Sequence, residues 1–207
     1  MNKAAVLHSP TGRVRGRPRE FDMDEALDGA IRVFRERGYN AASIGDLSVA
    51  MGLASGSIYK AFRDKREVFL AALDRYTSQR NDQLRPVAQS SKSARERLRD
   101  VLTFYFESSR GAEGRRGCLV VGSAVELAIV DREVAARVGG ALARNEALLA
   151  DLIRQGHRDK SVPARVDPEE TARTIVYLTQ GMRVVGRAGR SAPDPSAVVD
   201  IAMKLLV

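Results

Sequence analysis

Two apolar stripes too short for ordinary helices, hinged on one glycine, constrain this chain more than any other feature. Ser43 is placed to cap the first, with Asp46 at the third helical position, and Ile44, Leu47 and Met51 then share a face. Gly52 ends it, because glycine turns there without strain. A second short helix is expected around Ser55 to Phe62. Leu47, Ala50, Leu53 and Ile58 are spaced to pack between the two, which leaves the small Ser55, Gly56 and Ser57 facing outward. Two short helices joined in this way read as a helix-turn-helix. In that unit the second helix enters the major groove of DNA while the first bridges to the backbone, so low bulk at the start of the second favours close approach.

The flanking segments extend the pattern. Asp22 is expected to cap a preceding helix, with Glu25 closing a capping box and Phe21 at the staple position. Leu27, Ala30, Ile31 and Phe34 form its buried stripe, and Gly38 is its stop. Asp64, paired with Glu67, is expected to cap a helix running to about Gln79, with Phe69, Ala72, Leu73 and Tyr76 inward. Further helices are expected over Ala94–Ser109, Cys118–Val130, Asp131 to about Gln155, Pro168 to about Gly189 and Pro195–Leu206, with loops over Gly111–Gly117 and Gly156–Asp167. The pattern contains no run of strands and no internal repeat. The expected architecture is therefore all-α, with about nine helices. Residues 1–20 read as a flexible basic arm, 21–66 as a three-helix DNA-binding domain, and 67–207 as a larger helical domain for ligand binding and dimerisation.

Charge fits an anionic partner. The 207 residues carry a formal net charge of +8, and Arg13, Arg15, Arg17 and Arg19 concentrate part of it in a segment rich in Gly and Pro. That arm either reaches an adjacent minor groove or is a solvated tail. The single cysteine, Cys118, permits no disulfide within the chain, which fits a reducing, cytoplasmic setting. His8 and His157 lack helical metal-ligand spacing, so no metal site and no cofactor are expected. No secretory leader is expected, and no apolar stretch approaches the ~20 residues of a membrane-spanning helix. A phosphate-binding glycine loop, a nucleophile paired with a base and a carboxylate pair are all missing from the pattern, so an enzyme is not expected.

The stretch Ser43-Ile-Gly-Asp-Leu-Ser-Val-Ala-Met-Gly-Leu-Ala-Ser-Gly-Ser-Ile-Tyr-Lys-Ala-Phe62, preceded by Gly38-Tyr39 and followed by Arg63-Asp-Lys65, resembles the signature of the TetR/AcrR family of transcriptional regulators. The close likeness covers about residues 17–76. Ala54 departs from it, standing where a capping Ser or Thr is usual, and Ala61 stands where an aromatic residue or His is common. The resemblance implies that Ser43, Tyr59 and Lys65 contact phosphates, with Lys60 and Arg63 adding to the backbone grip. Ser55 and Ser57 become the candidates for base edges, and Arg13, Arg15 and Arg17 for the minor groove. For Tyr59 a place in the core is the alternative.

The same resemblance implies double-stranded operator DNA as partner, a homodimer, and a small-molecule inducer that releases a repressor from a palindromic site. An activator is the alternative mode. Dimerisation is expected through Ile175, Leu178, Thr179, Met182, Val185 and Gly186 of one helix and Val198, Ile201, Ala202 and Leu205 of the last, unless these faces pack within the monomer. Candidate ligand contacts are Phe104, Tyr105, Phe106, Cys118, Ser123, Glu126 and Gln180, each of which reads equally as core. Cys118 follows Arg115 and Arg116 at an expected helix start, a setting that activates thiols, so an electrophile or oxidant sensor is a further alternative to a buried small hydrophobe.

Overall fold

A computed structural model describes residues 22–190 and 195–207, and among them every regular element is helical. The order is α1 (Met23–Ala41), α2 (Ile44–Met51), α3 (Ser55–Ala61), α4 (Lys65–Ala88), α5 (Ala94–Glu107), α6 (Gly111–Arg116), α7 (Leu119–Glu126), α8 (Arg132–Arg158), α9 (Pro168–Arg187) and α10 (Pro195–Ala202), followed by a 3-10 turn, Met203–Leu206. The basic arm with Arg13, Arg15 and Arg17, and the staple residue Phe21, lie outside the described residues.

Caps explain most of the boundaries. Ser43 and Asp46 form a complete capping box at α2, as do Ser93 and Glu96 at α5. Asp22 and Asp64 cap α1 and α4. The expected reciprocal half is absent at α4, where Glu67 accepts instead from the backbone N–H of Arg63, one residue earlier. Gly52 adopts the left-handed conformation (φ 66°, ψ 27°) that the turn between α2 and α3 requires. Gly38 interrupts α1 at φ 79°, ψ 176°, a region essentially closed to residues with a Cβ.

Four boundaries correct the sequence reading. α4 runs to Ala88 rather than Gln79, because Leu84 and Ala88 find burial in the C-terminal half. Residues 111–116, expected as loop, make the short helix α6. The apolar run from Cys118 stops being helical at Glu126, and residues 127–130 form turns. α8 extends to Arg158.

The apolar side chains gather into two cores. The first joins α1–α3 and the first half of α4, including the fully buried Leu47, Ile58 and Leu73, to Leu119 and Val120 of α7, Leu127 of the following turn, and Val134 and Val138 of α8. It therefore does not stop at residue 66. The second joins the end of α4 to α5, the second half of α8, α9 and α10. Each large aliphatic side chain so buried contributes about 1.5–3 kcal/mol. α4 and α8 run through both cores and hold them together.

Candidate nucleic-acid interface and adjoining cavity

The helix-turn-helix is rigid beneath and open above. α2 crosses α1 so closely that a Cβ on Gly29 would lie 2.0 Å from the carbonyl oxygen of Ala50. Leu47 and Ile58 are wholly buried in this platform. On its outer side Ser43, Ser55, Gly56, Tyr59, Lys60 and Arg63 are exposed and Ser57 is half-buried. Tyr59 is 54% exposed, which removes it from the core. These candidates, with the half-buried Lys65, thus sit at the start of α2, along α3 and its following turn, and at the start of α4.

Local bonds set what each can offer. Ala54 provides no side-chain cap to α3, and the first-turn backbone N–H groups stay uncapped by any side chain. Free N–H groups at a helix start are donors for a phosphate oxygen. The Lys65 ammonium donates to the carbonyls of Tyr39 (2.9 Å) and Ala42 (3.0 Å) and sits 4.4 Å from the centre of the Tyr39 ring. An ammonium has three donors, so one remains. Arg63 pairs with Glu67 at 2.8 Å. Hydrogen bonds from Ser43 hold the Asp46 carboxyl below its ordinary pKa, which keeps the α2 cap charged.

The platform is tied to the rest of the chain along several lines. Arg75 of α4 forks onto Asp28 of α1 at 2.7 and 2.8 Å, and this bond is the main reason the Asp28 carboxyl lies low. Arg66 forks onto Asp131 at 2.6 and 2.9 Å, holding that carboxyl at about 2. Glu126, at the end of α7, accepts from the backbone N–H groups of Tyr39 and Asn40 just beyond the Gly38 break. Arg35 of α1 reaches the Gly117 carbonyl (2.8 Å) and the Glu113 carboxylate (2.7 Å). Arg187, the last residue of α9, donates to the carbonyls of Arg35 and Glu36 on α1 and of Arg115 and Arg116 on α6.

A cavity of about 40 Å³ lies at the seam between the cores. Tyr76, Arg80 and Leu84 of α4, Phe104 and Tyr105 of α5, Leu142 and Asn145 of α8, and Gln180 and Arg183 of α9 line it, together with Cys118. Four of the sequence candidates, Phe104, Tyr105, Cys118 and Gln180, therefore meet there. Ser123 and Glu126 line a neighbouring cleft of about 290 Å³ between α1, α7 and α9, and the buried Ser123 hydroxyl donates to the Leu119 carbonyl. Phe106 lines a separate groove with Met182, Val185 and Val198. Arg80, Arg183 and Tyr76 were missed by the sequence reading. The available signal was their place on the buried stripes: Arg80 falls four residues after Tyr76 and four before Leu84, and Arg183 four after Thr179.

The dimer candidates divide. Ile175, Thr179, Gly186 and Ala202 are buried within their own chain. Gly186 does permit close approach, but of Ser109, whose carbonyl oxygen would lie 2.0 Å from an added Cβ. Met182 and Val198 are half-buried against the second core. Leu178, Val185, Ile201 and Leu205 remain exposed, joined by Tyr177 (67% exposed) and Val184. Gly181, on the same outward stripe, has open space above it.

Among the described residues no helix is long and apolar enough to cross a membrane, and no cluster of His, Cys, Asp or Glu is placed to hold a metal ion. Comparison with known proteins bears on what this arrangement serves. Residues 26–72 match the family described as "Bacterial regulatory proteins, tetR family", and residues 94–198 match "Tetracyclin repressor-like, C-terminal domain". The chain is 28% identical over 195 residues to the HTH-type transcriptional repressor ComR of Escherichia coli K12, covering 92% of this chain and 91% of that one. It is 30% identical over 192 residues to the transcriptional regulator AcuR of Cereibacter sphaeroides, covering 89% and 84%. Among solved structures it resembles a cysteine mutant of the TetR family transcriptional regulator CifR complexed with 26-bp double-strand operator DNA, at 31% identity and TM-score 0.82, covering 93% and 100%.

Proposed function

Because this chain belongs to the TetR family, and is therefore a DNA-binding transcriptional regulator and not an enzyme, we propose that it is a homodimeric repressor released from a palindromic operator by a small molecule. The observation that carries this reading is the pairing of an open, polar α3 face with a cavity at the seam through which α4 runs. Ser55 and Ser57 read base edges, while Ser43, Tyr59, Lys60, Arg63 and the remaining donor of Lys65 hold phosphates. Arg13, Arg15 and Arg17 extend the grip into the minor groove. The repressor mode is supported by ComR, which matches nearly end to end and is named a repressor.

Dimerisation proceeds through the exposed stripe Tyr177, Leu178, Val184 and Val185 of α9 with Ile201 and Leu205. Contiguous exposed apolar side chains of this kind mark interfaces. A two-fold pair places two α3 helices against successive major grooves. Ligand in the cavity favours an arrangement in which those helices are wrongly spaced, and operator affinity falls by the same coupling free energy that DNA imposes on the ligand.

One observation favours a second trigger. Cys118 is half-buried and lines both the seam cavity and the cleft beside it. An electrophile entering either space meets the thiol. Normal induction of a Cys118→Ser protein excludes this trigger.

Selection of genomic fragments on the purified chain at near-physiological salt tests the main reading. Enrichment of a few palindromic sites is the expected outcome, followed by release on adding small molecules. Recovery without sequence preference overturns operator recognition. Sedimentation of a Leu178→Glu, Ile201→Glu double variant as a monomer, against a wild-type dimer, checks the interface.

A further inference from the structure

The seam cavity holds two positive charges and no negative one. Arg183 is 4% exposed, and its guanidinium donates to the Ser108 carbonyl at 2.9 Å while lying 5.7 Å from the centre of the Tyr105 ring. Arg80 reaches the hydroxyl of the same Ser108 at 2.8 Å and lies 4.4 Å from the centre of the Phe104 ring. Among the described residues neither guanidinium has a carboxylate within ion-pair distance, whereas most arginines around them do. Burial, and next the like charge of Arg183, push the Arg80 guanidinium below its ordinary pKa; the remaining acting groups are the Tyr76 and Tyr105 phenols and the Cys118 thiol. Burial drives both phenols upward, Tyr105 to about 12, so they are neutral donors at pH 7.

Removing an unpaired charge from water is costly unless a counter-charge arrives. A third donor waits beside the pair: the Tyr76 hydroxyl is buried, lines the cavity and, among the described residues, has no hydrogen-bond partner. Orphaned buried hydroxyls are rare in native proteins and point to an absent partner. Guanidinium forks match the planar geometry of a carboxylate. Phe104, Leu84, Val120 and Leu142 supply the apolar walls, and the half-buried Thr77, Asn81, Asn145 and Gln180 are the neutral polar groups. The small volume limits the occupant to a few heavy atoms.

We propose that this cavity is the binding site of a small organic carboxylate, which takes its charge complement from Arg80 and Arg183, accepts from the Tyr76 hydroxyl, and lays its carbon chain against Phe104 and Leu84. The inference rests on the ligand-released reading above and specifies the chemistry of the ligand. It also accounts for a coupling route, since Tyr76 belongs to the first core and Leu84 to the second, with Arg80 between them on α4. A carboxylate that draws Arg80 and Arg183 together shifts α4 against α9 at the seam.

Thermal unfolding and operator binding of the full chain test this at constant ionic strength. The probes are formate, acetate, propionate, butyrate and hexanoate, the matching neutral amides, and inorganic phosphate. At least one carboxylate is expected to raise Tm with concentration and weaken operator binding, while its amide does neither. Arg80→Met, at a position less buried than that of Arg183, is expected to weaken that carboxylate about tenfold or more, the worth of a charge-assisted hydrogen bond. It should also raise the Tm of the ligand-free protein by removing a charge that has no carboxylate partner. Equal responses to acid and amide, a response to phosphate alone, no response to any carboxylate, or an unaltered response in Arg80→Met overturns the proposal. If some neutral compound releases the operator while carboxylates do not, the carboxylate inference falls and the ligand-released reading stands. If the operator is never specifically bound, the underlying reading falls instead.

Discussion

The outer face of α3 and the cavity beside Arg80 are built on opposite principles. The α3 face is polar, exposed and assembled from neighbours in sequence, and it rests on a platform packed so tightly that Gly29 has no room for a methyl group. The cavity is partly open, draws on helices from Tyr76 to Arg183, and among the described residues leaves two guanidiniums without a carboxylate and a phenol without a hydrogen-bond partner. The first surface is finished before its partner arrives, since DNA presents one geometry and rewards a fixed donor set. The second has polar groups left unmet, and on the proposed reading an occupant that meets them changes the relation between the cores. Rigidity belongs where position is read, and unmet polar demand belongs where a signal is received.

The comparison breaks most severely at the platform. Gly29→Val places atoms inside the Ala50 carbonyl, and overpacking against backbone costs about 3 kcal/mol or more. Thermal denaturation should show a large drop in Tm with loss of operator binding, whereas Gly181→Val, facing open space, should keep the monomer's Tm contribution nearly unchanged. A platform that absorbs Gly29→Val without loss is not rigid in the sense argued here. Next, Tyr59→Phe should weaken operator binding about tenfold, from one lost hydrogen bond to a charged phosphate, with Tm unaltered. Lys60→Ala should in addition lower the salt slope of binding by about 0.9. Equal losses of affinity and Tm would assign these side chains to packing.

Smaller effects sharpen the picture. Ser43→Ala removes the side-chain half of the α2 capping box, leaving the backbone N–H of residue 43 on the Asp46 carboxylate, and should cost about 1 kcal/mol, read by urea denaturation. The smallest effect is pH-linked. Asp131 has a folded pKa of about 2, held down first by its hydrogen bond to Arg66. Its unfolded value is about 3.9. A depressed carboxylate stabilises above the unfolded value and loses that contribution as pH falls through the folded one. The loss therefore lies between about pH 4 and pH 2, and Asp131→Asn should flatten that part of an acid titration while leaving pH 7 operator binding near wild type.

What the sequence disclosed follows the same division. α2, α3 and their turn were legible because cap, stripe and stop sit within a few residues of one another: Ser43, Leu47, Gly52 and Ile58 each carry a local rule. The cavity was half legible. Phe104, Tyr105, Cys118 and Gln180 were chosen by residue type, but type alone equally favoured Phe106, Ser123 and Glu126, which tertiary packing sends elsewhere. Arg80 and Arg183 were passed over because charge ordinarily marks the outside of a helix, and only their register on apolar stripes argued otherwise. Four of the residues expected at a dimer face, Ile175, Thr179, Gly186 and Ala202, are buried within the chain for a related reason. The stripe through Ile175, Thr179 and Gly186 is the more regular one, and regularity of that kind serves the chain's own core before it serves a partner.

The grip of Arg187 has a mechanical consequence. A body joined to its support by one rod swings freely about the joint. α4 alone would leave the reading head on such a pivot. Arg187, the last residue of α9, adds an anchorage by bonding carbonyls of Arg35 and Glu36 on α1 and of Arg115 and Arg116 on α6. With Arg35, Arg66 and Glu126 holding the same head at other points, it is fastened at several separated places, so a displacement of α4 at the seam is carried into a surface that cannot simply swing away from it.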